Sequence, residues 1–135
     1  MNSIFIHAHS FGEVLTHHNS SQKHFKYLII GFHGYGERAA VQMRRMQSIN
    51  LPEQHRLLVC PQALHSFYVK ENTVGYSWMT SHNRGQAIHA NTHYLKNVIY
   101  TLQNEYTWEH LIFTGFSQGA AMAVSYTHLT LPTTD

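Results

Sequence analysis

The sequence is short of charged residues, and of acidic residues above all. Charged side chains make up 12% of its 135 residues, against the roughly 25% that is usual for soluble domains. Asp135 is the only aspartate among seven acidic residues. So few carboxylates leave little material for a paired-carboxylate hydrolase or for a calcium or magnesium site.

Cysteines and long apolar segments are scarce as well. Cys60 is the single cysteine and lies in an apolar run, so a disulfide framework within the chain is excluded and a buried thiol is expected. No segment approaches the roughly 18 apolar residues of a membrane span. Residues 1–7 lack the charged start and long apolar region of a signal peptide. We therefore expect a cytoplasmic protein without a membrane span.

Histidine partly replaces the missing charged residues. The nine lysines and arginines are scattered, and without a basic stripe nucleic-acid binding is not indicated. Among the thirteen histidines, His7, His9 and the pair His17-His18 are conceivable metal ligands. No carboxylate or thiolate accompanies them, so solvated histidines are the preferred interpretation. We predict neither a metal nor a cofactor.

Apolar periodicity predicts an α/β protein with a mostly parallel sheet. Continuous apolar runs are typical of strands buried on both faces, and their alternation with amphipathic helices is typical of a parallel sheet. Residues 3–9 alternate as a half-buried strand would, with 14–18 as the expected partner, whereas 62–83 has loop composition. The other predicted strands are 25–32, 57–60 and 111–114, and the predicted helices are 39–49, 86–105 and 118–125.

The run Gly115-Phe116-Ser117-Gln118-Gly119 follows the last predicted strand and opens the last predicted helix. Gly-x-Ser-x-Gly in this context is the signature of a nucleophile elbow, a sharp turn that lifts a serine hydroxyl clear of the sheet. The two glycines remove side chains that would collide in the turn. We therefore predict Ser117 as a catalytic nucleophile, with the Gln118 amide directed at an oxyanion.

A second glycine-rich segment, Gly31-Phe32-His33-Gly34-Tyr35-Gly36, follows the first buried strand. Elbow-type hydrolases take a second oxyanion donor from such a loop, and the Tyr35 amide is the predicted donor. We interpret His33 as a histidine that supports this loop. A dinucleotide-binding fingerprint is the alternative for residues 34–39, but it requires an acidic residue after the next strand, where the sequence has Cys60-Pro61-Gln62.

These motifs together resemble the phospholipase/carboxylesterase family of α/β-hydrolases, which includes acyl-protein thioesterases. The resemblance covers residues 27–124 and rests on four runs: His33-Gly34-Tyr35-Gly36, Pro61-Gln62-Ala63, Ser77-Trp78-Met79 and Gly115-Phe116-Ser117-Gln118-Gly119-Ala120. It implies Ser117 as the nucleophile, Tyr35 and Gln118 as the oxyanion donors, and small carboxylic esters or thioesters as substrates. Ala120 replaces a common second glycine, as in dienelactone hydrolases and polyhydroxyalkanoate depolymerases, so an esterase of those groups is an alternative.

The sequence after the serine departs from the family. The acid and the histidine of a serine hydrolase of this type follow the nucleophile in that order, and only 18 residues follow Ser117. His128 and Asp135 come in the reverse order, and a continuing helix would carry His128 roughly 16 Å from the serine, so we reject them as catalytic partners. We predict a partial α/β-hydrolase domain at residues 1–124 and a tail of doubtful native origin at 125–135.

Three expectations follow for the chain as a whole. As this fragment it should be nearly inactive, although a non-catalytic binding module or pseudoenzyme is an alternative explanation for the missing partners. The resemblance places the elbow strand at the centre of a complete sheet, so here its edge and apolar faces should be uncovered and favour self-association. Trp78, Phe67 and Tyr68 are candidates for an acyl pocket, with ordinary packing as the alternative.

Overall fold

A four-stranded sheet with helices on both faces forms the centre of the fold. In the computed structural model, which describes residues 1–19 and 21–127, the strand order is β1-β3-β2-β6. Strand β2 is parallel to both β3 and β6, and β1 is antiparallel to β3. The elements are β1 (Val14–His17), β2 (His24–Phe32), α1 (Ala39–Gln47), β3 (Arg56–Pro61), β4 (His65–Lys70), β5 (Thr73–Ser77), α2 (Arg84–Gln103), β6 (Thr107–Gly115) and α3 (Gln118–Tyr126).

The two faces of the sheet carry separate hydrophobic cores because the side chains of β2 and β3 alternate between them. Leu28, Ile30 and Phe32 of β2 face α2 and α3 in the larger core. Ile29 faces α1 in the smaller one, beside Cys60 of β3. The predicted α/β class, the parallel strands and the three helices are confirmed. The predicted burial of the strand at 111–114 is wrong, because β6 lies at the edge of the described sheet and its residues are only partly buried or exposed.

The predicted strand at residues 3–9 is wrong. Residues 1–13 form no strand, and Ile4 and Ile6 are 79% and 78% exposed. The expected partner does form β1, but it pairs with β3. Alternation of apolar residues is a local pattern, and it produces a strand only where a sheet edge is free to pair with it.

The predicted loop at residues 62–83 is also wrong in part, because β4 and β5 form an antiparallel hairpin there. The turn between them includes Asn72 with a φ of 58°, a conformation that asparagine tolerates better than most residues. β-branched and aromatic residues flank the turn on both sides, which is the usual signal of a hairpin. The hairpin lies beside the loop that follows β2, so it bears on the site described below.

The last helix continues beyond the predicted domain boundary. Tyr126 lies in α3 and is buried in the larger core, with its ring centroid 5.9 Å from that of Phe32. Residues 128–135, which include His128 and Asp135, lie outside the described residues, so the prediction about the tail stays a prediction. Of the helices described, none is long and apolar enough to cross a bilayer.

Candidate active site

Ser117 lies at the sharp turn between β6 and α3. It adopts φ 57° and ψ −119°, while Gln118 begins the helix. A positive φ is uncommon for a residue other than glycine and stores backbone strain that the surroundings must hold. The side chain is exposed. Residues 115–119 are called the serine turn below.

The glycines at both ends of the serine turn are required by close backbone packing. A Cβ atom on Gly119 would collide with the carbonyl oxygen of Phe32, at the end of β2. A Cβ atom on Gly115 would collide with the carbonyl of Gly119. The Phe116 amide also donates to the Phe32 carbonyl at 3.1 Å. These contacts press the serine turn directly against the carboxyl end of β2.

The loop that follows β2, residues 33–36, packs against the serine turn. A Cβ atom on Gly34 would lie 3.1 Å from the ring and 3.2 Å from the carbonyl oxygen of Phe116. Gly36 has a φ of 76°, and its amide donates to the Tyr76 carbonyl of β5 at 2.9 Å. The glycines thus allow the loop to pass between the serine turn and the hairpin. We call residues 33–36 the glycine loop.

The amides of Tyr35 and Gln118 are not used in internal hydrogen bonds. In the part of the chain that the structure describes, neither donates to a backbone or side-chain acceptor. Gln118 lies at the N-terminus of α3, where the first amides have no helical partner and the helix dipole favours negative charge. The Tyr35 ring is turned toward the hairpin, with its centroid 5.0 Å from that of Phe67.

His33 is completely buried, and both of its ring nitrogens are engaged. The Ala63 amide donates to Nε2 at 3.0 Å, so Nε2 carries no proton. Nδ1 therefore carries the proton and donates to the Gly34 carbonyl at 2.7 Å. Burial lowers the pKa of His33, which keeps the ring neutral. A ring held in this way supports the glycine loop and cannot accept a proton from Ser117.

The side chain of Gln118 holds the hairpin against the serine turn. Its Oε1 accepts from the Trp78 amide at 2.8 Å, and its Nε2 donates to the Met79 carbonyl at 2.9 Å. The buried amide of Asn91 on α2 donates to the Trp78 carbonyl at 2.7 Å. The Gly-x-Ser-x-Gly pattern indicates only a backbone role for Gln118, and the run Ser77-Trp78-Met79 is the one sequence signal of these side-chain contacts.

The three aromatic candidates for an acyl pocket differ in their burial and in the residues that they contact. Trp78 is 3% exposed, packs edge-on against Phe32, and donates from Nε1 to the His33 carbonyl at 2.9 Å. It is therefore a core residue. Phe67 contacts Tyr35, and Tyr68 is 74% exposed. A cavity of about 200 Å³ lies between α2 and α3, bordered by Met79 and Ala121.

In the described residues, neither Cys60 nor the His, Asp and Glu side chains form a second reactive or metal-binding site. Cys60 is buried, and burial raises the pKa of its thiol to about 12, so it is not a nucleophile. Among the described residues, no three His, Cys, Asp or Glu side chains are placed to hold a metal ion. A cavity of about 670 Å³ lies between residues 5–10 and α2 and is lined by neither the serine turn nor the glycine loop.

The chain belongs to the phospholipase/carboxylesterase family, whose sequence model matches residues 16–134. The match spans most of the chain, including both the glycine loop and the serine turn. A search of curated proteins gives no significant match.

Two solved structures support the fold assignment. A phospholipase/carboxylesterase from Dyadobacter fermentans is similar with a TM-score of 0.62 and 23% identity, over 90% of this chain and 55% of that one. Acyl-protein thioesterase 2 from Zea mays is similar with a TM-score of 0.56 and 19% identity, over 86% of this chain and 50% of that one. The fold is that of the α/β-hydrolases, and the chain spans about half the length of these two proteins.

Proposed function

We propose that the protein is a serine esterase or thioesterase that works through an acyl-enzyme, with Ser117 as the nucleophile. The observation that carries the proposal is the backbone of Ser117, with φ 57° between strand β6 and helix α3. That conformation is the one that a nucleophile elbow requires, because it raises the hydroxyl above the strand ends. Membership of the phospholipase/carboxylesterase family supports the same chemistry.

The oxyanion of the tetrahedral intermediate would be bound by the amides of Tyr35 and Gln118. Both are free of acceptors in the described part of the chain, and the two segments that carry them are in direct contact. Donors fixed in advance stabilise developing charge without reorganisation, and removal of one costs roughly 10²- to 10³-fold in kcat. Gly34 and Gly36 would let the glycine loop approach the substrate, and His33 would hold its backbone.

The chain would lack a general base for this reaction. In the described residues no histidine or carboxylate side chain forms a hydrogen bond with Ser117, and the nearby His33 is fully engaged. A serine hydroxyl without a base is a weak nucleophile. We therefore propose that these 135 residues alone are nearly inactive.

The proposed substrates are small carboxylic esters or thioesters, and the proposed location is the cytoplasm. A single buried thiol fits a reducing compartment. The solved structures with this fold include both a carboxylesterase and a thioesterase, which supports substrates of this class without choosing between oxygen and sulfur as the leaving atom.

The test uses a short-chain nitrophenyl ester and a matched thioester, with two proteins: the 135-residue chain and the product of the complete coding region that contains it. We expect turnover from the second protein, a burst of nitrophenol, and loss of about 10³-fold or more in Ser117→Ala. Ser48→Ala is the control, because Ser48 is exposed at the end of α1 and its hydroxyl bonds only to the Arg45 carbonyl.

Turnover by the 135-residue chain at the rate of an intact esterase, abolished by Ser117→Ala, would show that the inactivity proposal is wrong. A coding region that stops after Asp135, together with no turnover by any product, would instead favour a non-catalytic binding module.

A further inference from the structure

An ion pair links α1 to the residue just after the glycine loop. Arg45 Nη1 donates to Glu37 Oε1 at 2.8 Å, and Arg45 Nη2 donates to Oε2 of the same carboxylate. The side chains are 34% and 22% exposed. Gln42 also orients Arg45, because its Oε1 accepts from the same Nη1 at 3.0 Å. A two-point pair between planar groups fixes orientation as well as distance.

The Glu37 carboxylate of this pair also holds the glycine loop. Its Oε1 accepts the backbone amide of Gly34 at 2.6 Å. The hydrogen bonds from Arg45 lower the pKa of Glu37, and the Gly34 amide acts in the same direction against the opposing effect of burial. Glu37 therefore stays an acceptor, and its bond to Gly34 is charge-assisted.

The guanidinium of the same arginine lies on the serine turn. The Cζ atom of Arg45 is 3.8 Å from the centre of the Phe116 ring, a distance at which a flat guanidinium stacks on an aromatic face. Phe116 directly precedes Ser117, and its ring and carbonyl oxygen lie so near Gly34 that an added Cβ atom there would be 3.1 Å and 3.2 Å from them. One side chain thus contacts the supports of both proposed oxyanion donors.

We propose that Arg45 is a positioning residue of this site. Through Glu37 it holds the glycine loop that carries the Tyr35 amide, and through Phe116 it holds the serine turn. The two segments come from different β–α connections and meet through the backbone contacts of Phe32 with Phe116 and Gly119. Arg45 adds a side-chain constraint from α1 that acts on both segments.

The first measurement follows amide hydrogen exchange and chemical shifts by NMR in the isotope-labelled 135-residue chain. In Arg45→Gln we expect the Gly34 amide to exchange about tenfold faster or more, since a charge-assisted hydrogen bond is weakened. We also expect shift changes at both Tyr35 and Ser117. Arg44→Gln is the matched control, because it removes the same charge from the same helix at an exposed position.

A pH titration separates positioning from general stabilisation. In the described residues, the titratable side chains that act on the Glu37 carboxylate are those of Arg45 and His33. In the wild type, the Gly34 and Tyr35 amide shifts should follow one acidic midpoint, that of Glu37. Arg45→Gln should raise that midpoint, and Arg45→Lys should restore it without restoring the Ser117 shift, because lysine keeps the charge but lacks the flat fork.

Two results would overturn the proposal: Arg45→Gln behaving as Arg44→Gln, or a change confined to Gly34 while Tyr35 and Ser117 keep their wild-type shifts. The link to catalysis rests on the proposed function. In a hydrolytically active product, Arg45→Gln should lower kcat more than it raises KM. The NMR outcome stands whether or not Ser117 proves to be the nucleophile, so failure of one proposal does not hide failure of the other.

Discussion

At the scale of single residues, the candidate site depends on glycines, because a larger residue at these positions would collide with neighbouring backbone atoms. Gly119 lets α3 begin against the end of β2, and Gly115 lets the serine turn fold back on itself. The strain at Ser117 is held by these contacts rather than by its own side chain, which makes no capping hydrogen bond. A pattern of two glycines around a serine therefore has a steric cause that can be tested.

Gly119→Ala should destabilise the chain by about 3 kcal/mol or more, because its Cβ atom would meet backbone carbonyls that cannot turn away. Gly85→Ala is the comparison, since Gly85 lies in α2 with nothing within 4 Å of the added atom. Alanine there should stabilise the chain by up to about 1 kcal/mol. Urea unfolding followed by circular dichroism measures both, and a Gly119→Ala value near zero would contradict the packing described.

At the scale of elements, the β4–β5 hairpin is joined to the site by polar contacts instead of by the main sheet. Gly36 and Glu37 bond to Tyr76 of β5, and Gln118 bonds to residues just beyond the strand. The hairpin was not predicted, because aromatic and polar residues in a segment without a long apolar run have the composition of a loop. Its signal was local: β-branched and aromatic residues on both sides of Asn72.

Gln118→Met should loosen the connection between the hairpin and α3. Methionine fills a similar volume but leaves the Trp78 amide without a partner, at a cost of about 1–3 kcal/mol. The Met79 carbonyl loses one of its two donors and keeps the Ser77 hydroxyl at 2.9 Å. We expect faster amide exchange at Trp78 and little change in α1. Gln47→Met, at an exposed position of α1, is the control, and equal exchange in both variants would show that Gln118 does not hold the hairpin.

At the scale of the whole molecule, β6 is an edge strand of the described sheet. Ile112 on this strand is 38% exposed and Val124 on the neighbouring helix is 70% exposed. Unpaired strand edges with apolar neighbours are sites of strand addition. We propose that a second copy of the chain pairs along β6, since two identical edges are self-complementary under twofold symmetry.

Sedimentation velocity at increasing protein concentration should therefore show dimers and larger species. Ile112→Lys should shift the distribution toward monomer, because a charge on an edge strand opposes pairing. Ile4→Lys, at a residue that is 79% exposed but distant from β6 in the chain, should have no effect. A monomer at all concentrations, or equal effects of the two lysines, would contradict pairing through β6.

The sequence alone determined the α/β class, the buried parallel strands β2 and β3 and the position of Ser117 between a strand and a helix, because these depend on apolar periodicity and local steric rules. It also pointed to His33 as a supporting residue. Which segment pairs with the free edge of β3 was decided only by the tertiary structure. Residues 14–17 pair with that edge, and residues 3–9 lie outside the sheet. The tertiary structure likewise brought Arg45, Glu37 and Phe116 together, since contacts between separate β–α connections depend on packing in space and leave no periodic trace in the chain.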